Sequence, residues 1–242
     1  KNRIINISKQ QLDIFATLYD DTSISPLAAR LPLVHSKELL SVLSKFSEQK
    51  TRLGDLKEYY FATVMWDQNS AQKKGIIKSR TQYPENPTQL ILSGPHFYVA
   101  TPIYKNPNEN CRHNLDYSNI DLTDIPDNFL PRTNFIPMQN DQEYLAQQPK
   151  WNNTPIFMKY KHIHRRMLGI TAERTLINAI AIPYSGHVNT VFSITFSENV
   201  DLVTFSGLCS SIVYDFFVKS TGRSDMYEDL SAMLPIVRKN RT

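Results

Sequence analysis

The chain has 242 residues, of which 41% are hydrophobic, 11% aromatic and 21% charged, and its formal net charge is +4. This composition predicts a globular protein of one or two domains with a sizeable core. Its seven glycines lie too far apart for a G-x-G-x-x-G fingerprint or a P-loop, so we expect no nucleotide site of either kind. No apolar run reaches the roughly 18 residues of a membrane span, so we expect no membrane contact.

The first third of the chain has the apolar spacing of helices. Ser8 can cap a first helix, whose apolar stripe is formed by Leu12, Phe15, Ala16 and Tyr19. Ser36 can cap a second helix, whose stripe is formed by Leu39, Leu40, Leu43 and Phe46. The stretch over residues 53–66 is amphipathic and rich in aromatic residues, and it predicts a third helix that ends by Asn69.

Beyond Gly75 the apolar period falls to 2 or gives way to short apolar runs, which is typical of strands. The predicted strands cover residues 76–77, 90–92, 97–99, 156–158, 175–183 and 188–196. The link over residues 183–186 predicts a hairpin or a sharp turn between the last two strands.

The C-terminal part of the chain returns to a helical pattern. Residues 202–217 carry a wide apolar stripe, which predicts a long helix ended by Gly222. Residues 230–237 predict a closing segment that packs through Leu234 and Ile236.

Seven prolines between residues 102 and 155, with many Asn and Asp residues, predict a long and largely irregular loop. Together the elements predict an α+β fold, in which a mixed or antiparallel sheet is joined by N-terminal helices, a long C-terminal helix and this Pro/Asn-rich loop. We expect a mainly helical portion over residues 1–74 and an α+β portion over residues 75–242, which can form one compact unit.

Basic residues form two short runs. The first consists of Lys73, Lys74, Lys78 and Arg80, with no acidic residue between them. The second consists of Lys159, Lys161, Arg165, Arg166 and Arg174, with only Glu173 opposing it. Either run alone is typical of a solvated face. The second is the better candidate for nucleic-acid contact, because Tyr160, His162 and His164 are interleaved with its cations.

Motifs for catalysis are absent from the sequence. There is no G-x-S-x-G, no N-P-P-[YF] tetrad, and the two cysteines have neither metal nor disulfide spacing, which favours a reduced, cytoplasmic protein. His162 and His164 would share one face of a strand, but without a third ligand a surface or phosphate-contacting role is favoured over a metal site. We therefore expect a binding module with no catalytic residue, metal ligand or cofactor of its own.

Four stretches of the sequence follow one another in a distinctive order. The first two are Gly75-Ile76-Ile77 and a segment from G-P-H at residues 94–96 through P-I-Y at 102–104 to L-P-R-T-N at 130–134. The third is K-Y-K-H-I-H-R-R-M-L-G-I-T-A-E-R-T-L-I-N-A-I-A-I-P at residues 159–183. The fourth is S-G-L-C-S-S-I-V-Y-D-F-F-V-K at residues 206–219, followed by L-P-I at 234–236.

This order resembles the C-terminal target-recognition region of large single-chain adenine-specific DNA methyltransferases of restriction-modification and phage-defence systems. The resemblance covers residues 75–237 and is strongest over residues 173–183 together with 210–217. It implies that a parent enzyme transfers a methyl group from S-adenosylmethionine to the exocyclic amine of adenine. The catalytic domain, with its cofactor loop and N-P-P-Y tetrad, would lie N-terminal to residue 1, and the present chain would choose the DNA sequence.

On this hypothesis cations contact phosphates, while polar side chains on loops read the edges of bases. The residues predicted to bind DNA are Lys159, Lys161, His164, Arg165, Arg166, Arg174, Lys219 and Arg223. Arg174 lies beside Glu173 and can equally form a structural ion pair. The residues predicted for base readout are Asn108, Asn110, Arg112 and His113 in the Pro/Asn-rich loop.

Two other functions stay open at this point. The chain can be a protein-interaction module of a defence complex with no direct DNA contact, whose aromatic surface meets other subunits. It can also be a separate nuclease, because Glu48-Gln49-Lys50 has the E-x-K form that some metal-dependent nucleases use, although here it ends a predicted helix.

Overall fold

The computed structural model describes residues 4–20, 23–97 and 102–236. Helices and several small sheets form an α+β fold, as the sequence predicts. The helices are α1 (Lys9–Tyr19), α2 (Glu38–Glu48), α3 (Gln68–Lys73), α4 (Asp141–Ala146), α5 (Asn199–Cys209), α6 (Ile212–Ser220) and α7 (Glu228–Ala232). The strands are β1 (Tyr60–Thr63), β2 (Ile77–Gln82), β3 (Ile91–Leu92), β4 (Lys105–Pro107), β5 (Tyr117–Asn119), β6 (Thr133–Pro137), β7 (Lys150–Trp151), β8 (Thr154–Pro155), β9 (Lys161–Arg165), β10 (Asn178–Ala181), β11 (Gly186–His187) and β12 (Val191–Phe196).

Four antiparallel strands in the order β1-β12-β9-β10 form the central sheet. Strand β12 lies between β1 and β9, so that Ile194 is opposite Ala62 on one side and His162 on the other. Every residue of β12 is buried, as is every residue of β9 except Arg165. A strand that is paired on both edges and covered on both faces leaves no solvated position for a charged side chain.

Helices cover one face of the central sheet. Helix α5 contacts β9, β10 and β12, and the rings of Phe205 and Phe196 lie 5.4 Å apart between centroids. The same apolar cluster includes side chains of α1, α2 and α6, where the rings of Phe46 and Phe217 lie 4.9 Å apart. The described residues of both predicted portions of the chain therefore share one sheet and one core.

Further two-stranded sheets accompany the central sheet. The pairs β2–β6, β4–β5 and β7–β8 are antiparallel, and β3–β11 is parallel. Within β2–β6, Ile77 and Phe135 are buried in a second apolar cluster with Trp66 and Tyr144. This packing fixes the β2–β6 pair, which carries part of the candidate site.

The two N-terminal helices follow the sequence closely. The Ser8 hydroxyl accepts from the Gln11 amide N–H while the Gln11 side chain accepts from the Ser8 N–H at 2.6 Å, so the predicted cap of α1 is confirmed. Helix α2 is also present, but Lys37 occupies its cap position, and the predicted cap at Ser36 is wrong.

The predicted third helix over residues 53–66 is wrong. The chain forms a 3-10 helix at Leu53–Tyr59 and then strand β1. The whole of β1 pairs with β12, and Tyr60 is buried in the main cluster. Pairing and burial outweigh the weak local preference for helix in this stretch.

The long C-terminal helix predicted over residues 202–217 is two helices. The axes of α5 and α6 differ by 71°, because the Ser211 side chain accepts from the Tyr214 N–H at 3.2 Å and caps a new helix. The predicted stop at Gly222 is confirmed by its positive φ of 68°. Leu234 and Ile236 are buried in the main cluster, as predicted for the closing segment.

Most predicted strands are present, at β2, β3, β10 and β12. Residues 156–158 form a 3-10 helix instead of a strand. Of residues 97–99, Phe97 lies outside any strand, and residues 98 and 99 lie outside the described residues. Residues 183–186 make the predicted sharp turn, with Tyr184 at φ 65°, but a hairpin is wrong because β10 and β12 lie on opposite sides of β9.

The Pro/Asn-rich stretch between residues 102 and 155 contains strands β4 to β8 and helix α4, joined by irregular segments. Within the described ranges, no single helix is long and apolar enough to cross a membrane, although α5 and α6 meet that test of length and composition as a bent pair.

Candidate nucleic-acid interface

The second basic run, which the sequence favours as the DNA surface, lies mostly inside the protein. Lys161 and His164 are 0% exposed, because β9 is an inner strand of the central sheet. Lys161 Nζ donates to the main-chain oxygens of Lys159 at 3.1 Å and Ile182 at 3.5 Å, and burial lowers the Lys161 pKa to about 7. The prediction that Lys161 and His164 contact DNA is therefore wrong.

His162 and His164 form a buried polar pair. Nδ1 of His162 lies 3.0 Å from the Ser206 hydroxyl, and Nε2 of His162 lies 3.4 Å from Nδ1 of His164. Burial lowers the pKa of His164 to about 4, so its ring is neutral near pH 7. Among the described residues, no three His, Cys, Asp or Glu side chains come together as a metal site.

Arg166 and Arg174 are engaged by neighbouring acidic and aromatic side chains. The Arg166 Nε atom lies 3.6 Å from an Asp225 oxygen, and its guanidinium lies 5.3 Å from the centre of the Tyr227 ring. The Arg174 Nε atom lies 3.3 Å from an Asp215 oxygen. Arg174 therefore forms a structural ion pair, which the sequence left open as the alternative to DNA contact.

The cations near the end of α6 also have partners within the protein. Lys219 Nζ donates to the main-chain oxygen of Ala172 at 2.9 Å. Arg223 forms an ion pair with Asp229. Both would have to exchange these contacts for phosphates in order to bind DNA, which reduces their contribution to affinity.

Lys159 and Arg165 complete the second run. Lys159 is half-buried, with its Nζ 5.6 Å from the centre of the Trp151 ring. Arg165 is half-buried at the end of β9. The second run therefore offers separate, partly covered cations and no continuous basic surface.

The residues predicted for base readout lie on a hairpin formed by β4 and β5. The hairpin loop, residues 108–116, is closed by a hydrogen bond from the Asn108 main-chain N–H to the Asp116 main-chain oxygen at 2.8 Å. The Asp116 carboxylate accepts from the N–H groups of Arg112 and His113, each at 2.9 Å, and these bonds lower the Asp116 pKa. The carboxylate thus fixes the backbone of two residues whose side chains are exposed.

A cleft of about 300 Å³, which we call the polar cleft, adjoins this loop. It is lined by Gln68, Gln72, Ser79, Ser93, Pro95, Cys111, Arg112, His113, Asn114, Tyr117, Asn134, Phe135 and Thr190. These residues come from α3, β2, β5, β6 and the loops between strands. Ser79 and Phe135 are directly opposite each other in the β2–β6 pair. Ser79 is exposed, whereas Phe135 is buried in the second apolar cluster.

Buried hydrogen bonds fix the inner wall of the polar cleft. His96 Nε2 donates to the Arg132 oxygen at 2.9 Å while its Nδ1 accepts from the Ser93 N–H at 3.1 Å, and burial lowers the His96 pKa, which keeps this ring neutral. The Tyr117 hydroxyl lies 3.2 Å from the Ser93 hydroxyl and accepts from Asn134 Nδ2 at 2.6 Å. The wall is therefore preorganised, with its polar groups held in place.

The first basic run lies on the two elements that border the polar cleft. Helix α3 supplies Gln72 and strand β2 supplies Ser79 to the cleft, and the same elements and the turn between them carry the four cations Lys73, Lys74, Lys78 and Arg80. All four are exposed, and none forms an ion pair with another residue in the described part of the chain. Exposed, unpaired cations on neighbouring elements are suited to phosphate contact.

The chain matches no protein-family model and no curated protein.

The four predicted readout residues do not share one cavity. Arg112 and His113 line the polar cleft, whereas Asn108 and Asn110 line a separate, more open hollow with Glu109. The Asn108 side-chain oxygen also accepts from a serine hydroxyl of β5 at 2.5 Å, so one of its groups is already used.

Most residues of the polar cleft were not predicted from the sequence. Gln68, Gln72 and Ser79 have no motif around them, and Asn134 ends the L-P-R-T-N segment without a predicted role; the four meet only because β2 pairs with β6 and α3 precedes β2. The first basic run does have a sequence signal, namely four cations without an intervening acid. The second run was preferred as the DNA surface because aromatic and histidine residues are interleaved with its cations.

Glu48, the candidate for the nuclease alternative, is the last residue of α2. Its carboxylate lies 3.9 Å from Lys45 Nζ. It belongs to an exposed ion pair at a helix end and lines none of the cavities described above.

Proposed function

We propose that the chain recognises double-stranded DNA, as the target-recognition part of an adenine-specific, S-adenosylmethionine-dependent DNA methyltransferase of a restriction-modification or phage-defence system. The observation that carries the DNA-binding part is the first basic run, with four exposed and unpaired cations on the elements that border the polar cleft. The enzyme class rests on the sequence resemblance.

In the proposed complex, affinity and sequence preference come from different groups. Lys73, Lys74, Lys78 and Arg80 neutralise phosphates and release counterions, which gives binding without regard to sequence. The hairpin loop over residues 108–116 is the element that reaches base edges. Its exposed Arg112 has the planar, multiple donors that pair with guanine in the major groove.

The segments that carry the resemblance most strongly are not the segments proposed to contact DNA. The strongest part of the resemblance, residues 173–183 together with 210–217, contains β10 and most of α6, and residues 161–165 before it form β9 of the buried sheet. Because these residues belong to the core, their resemblance to the methyltransferase target-recognition region supports a similar fold. The hairpin and the first basic run, where sequence specificity and phosphate contact are proposed, lie on other parts of the chain.

A salt titration of duplex binding tests the proposal. Changing Lys73, Lys74, Lys78 and Arg80 to Ala removes four positive charges from α3, β2 and the turn between them. The slope of log K against log salt becomes shallower by about 0.9 for each phosphate that the variant no longer neutralises. The matched control changes Lys9, Lys45, Lys50 and Lys57 to Ala, which removes the same charge from exposed positions around α1 and α2.

We expect the first variant to lose affinity and salt dependence while the control keeps both. Equal losses in the two variants would mean that net charge alone drives binding and would contradict the proposed interface. Fluorescence anisotropy with a labelled duplex, at several salt concentrations, gives both quantities.

A protein-interaction module of a defence complex is the second candidate function, and the outer surface of α5 and α6 favours it. Val200 is 61% exposed, Val203 60% and Ile212 77%. Apolar contacts lack the steep salt dependence of phosphate contacts. Capture of a defence-complex subunit that survives high salt, without duplex binding, would favour this candidate over DNA recognition.

A further inference from the structure

We infer that a second copy of this chain pairs its strand β10 with β10 of the first, antiparallel and about a two-fold axis at Ala179. The pairing joins the two central sheets, each in the order β1-β12-β9-β10, into one continuous sheet. This inference is independent of the proposed function, because it uses none of the groups proposed to contact DNA.

Strand β10 is an unprotected edge of the central sheet. Within the described residues, no strand pairs with its outer side, and Ile180 is 40% exposed. The opposite edge, β1, differs because none of its residues is exposed. Proteins usually protect an edge strand with charged residues, a bulge or a covering segment, and an exposed apolar edge is a site for pairing with another strand.

The register with β9 shows which main-chain groups of β10 point outward. The Arg165 N–H donates to the Ile177 oxygen at 3.0 Å, and these two residues continue the β9–β10 register by one position. Bonded and non-bonded pairs alternate along an antiparallel ladder. Ala179 therefore bonds to β9, whereas Asn178 and Ile180 direct their N–H and C=O groups away from it. An extended backbone is the partner that fits such a row of donors and acceptors.

A second copy of β10 matches these outward groups. With the axis at Ala179, Asn178 of each copy lies opposite Ile180 of the other, and each such pair exchanges both of its hydrogen bonds. The outward N–H and C=O groups of both residues are thereby used. The same surface serves on both copies, as a two-fold interface requires.

The edge also has the neutral charge that self-pairing needs. Residues 175–184 include no charged residue, so two copies bring no like charges into opposition. Exposed apolar and aromatic residues flank the edge, namely Ile182 and Tyr184 after β10 and Tyr160 before β9. Burial of part of this surface stabilises the pairing. The contact is smaller than a permanent interface, so we expect a dimer that dissociates on dilution.

The molar mass in solution, measured by light scattering at several protein concentrations, is the first test. We expect the wild type to be mainly dimeric at about 100 µM and mainly monomeric at about 1 µM. Ile180→Pro removes an outward N–H, and a proline is tolerated on an edge strand where the N–H faces solvent. We expect this variant to be monomeric at both concentrations. Ile180→Val keeps the N–H and should dimerise as the wild type does.

Ile180→Lys disrupts the pairing in a second way, because it places a positive charge on the edge of each copy. We expect the dissociation constant of the dimer to rise at least about tenfold. Ile212→Lys, which places the same charge at an exposed apolar position on α6, is the matched control and should dimerise as the wild type does. Urea unfolding of each variant shows that it is folded.

A disulfide cross-link tests the register. In a non-hydrogen-bonded pair the Cα atoms are about 4.5 Å apart, a distance that a disulfide can span. Ala179→Cys should therefore link two copies in the presence of oxidised glutathione. Ile180→Cys should link them much more slowly, because its two copies lie on a diagonal about 7 to 8 Å apart. Both variants also carry Cys111→Ser, since Cys111 is a half-buried free thiol.

Four results would overturn the inference. The first is a wild type that is monomeric at about 100 µM, and the second is a dimer that persists in both Ile180→Pro and Ile180→Lys. The third is a dimer that dissociates in Ile212→Lys while Ile180→Lys keeps it, and the fourth is equally fast cross-linking of the two cysteine variants. Duplex binding is measured separately, so each of these results leaves the proposed function standing, and absence of duplex binding leaves the dimer standing.

Discussion

Asp116 shows how one carboxylate arranges two candidate DNA contacts. It accepts from the main-chain N–H groups of Arg112 and His113, each at 2.9 Å, and thereby fixes the loop from which their side chains project. Its negative charge would itself repel phosphates. The geometry and the charge of this residue therefore predict opposite effects on DNA binding when it is replaced.

We expect Asp116→Ala to weaken duplex binding about tenfold, because a mobile loop no longer orients its base-reading side chain. Asp116→Asn is the control, since it removes the charge but keeps an oxygen that accepts from the two N–H groups. Anisotropy titrations should show that only the alanine variant binds weakly. Tighter binding by Asp116→Ala would mean that charge outweighs loop geometry.

Lys161 is a residue whose role the sequence misassigned. A lysine between Tyr160 and His162 in a basic run has the composition of a DNA surface, and only the strand order shows that β9 is an inner strand. With its pKa lowered to about 7 by burial, the folded protein releases a proton that the unfolded chain keeps up to about pH 10. The free energy of unfolding therefore rises with pH across this interval.

Replacement of Lys161 by Met removes this contribution. We expect the difference in unfolding free energy, wild type minus variant, to increase by up to about 1.4 kcal/mol per pH unit between about pH 7 and pH 10. Urea unfolding at several pH values measures it, and Lys57→Met, at an exposed position, should show no such trend. A difference that is independent of pH would contradict the burial of an uncharged lysine.

At the scale of elements, Asp215 joins helix α6 to the segment that leads into β10. Its Oδ1 accepts from the N–H groups of Thr175 and Leu176, each at 2.7 Å, and lies 3.3 Å from Arg174 Nε. A single acidic side chain thus compensates two buried donors and one cation. This arrangement explains why an arginine in the second basic run serves the fold.

We expect Asp215→Ala to lower the free energy of unfolding by about 3 to 5 kcal/mol, because two buried donors and a cation lose their partner. Asp215→Asn keeps an acceptor oxygen and should lose less. Asp13→Ala, at an exposed position on α1, should leave stability within about 0.5 kcal/mol of wild type. Urea unfolding decides between these outcomes, and a loss for Asp215→Ala as small as that of Asp13→Ala would contradict the role given to this carboxylate.

Elements whose stability is local were predictable from the sequence, and elements made by distant contacts were not. Helix α1 carries both its cap at Ser8 and its apolar stripe within a dozen residues. Strand β1 exists because residues 60–63 meet β12, more than 120 positions later. The break between α5 and α6 had a local signal in Ser211, which the continuous apolar stripe concealed.

For the whole molecule, the candidate site is a product of chain topology. The polar cleft assembles α3, β2, the β4–β5 hairpin and β6, and the main core joins the N-terminal helices to the C-terminal ones. Arg112 and His113 were identified from their loop, because polar residues in a long Pro/Asn-rich stretch are typical of recognition. Their partners across the cleft carry no such signal, since Gln and Ser residues on short elements are common everywhere.

In the proposed complex, the first basic run, and not the second, binds DNA. The most direct measurement is the salt dependence of duplex binding by three proteins: wild type, the variant with Lys73, Lys74, Lys78 and Arg80 changed to Ala, and a variant with Lys159, Arg165, Arg166 and Arg174 changed to Ala, each first shown to be folded. We predict that the first variant loses most of the affinity and of the salt slope, while the second loses little of either. The reverse pattern, or no salt-dependent binding by the wild type, would contradict it.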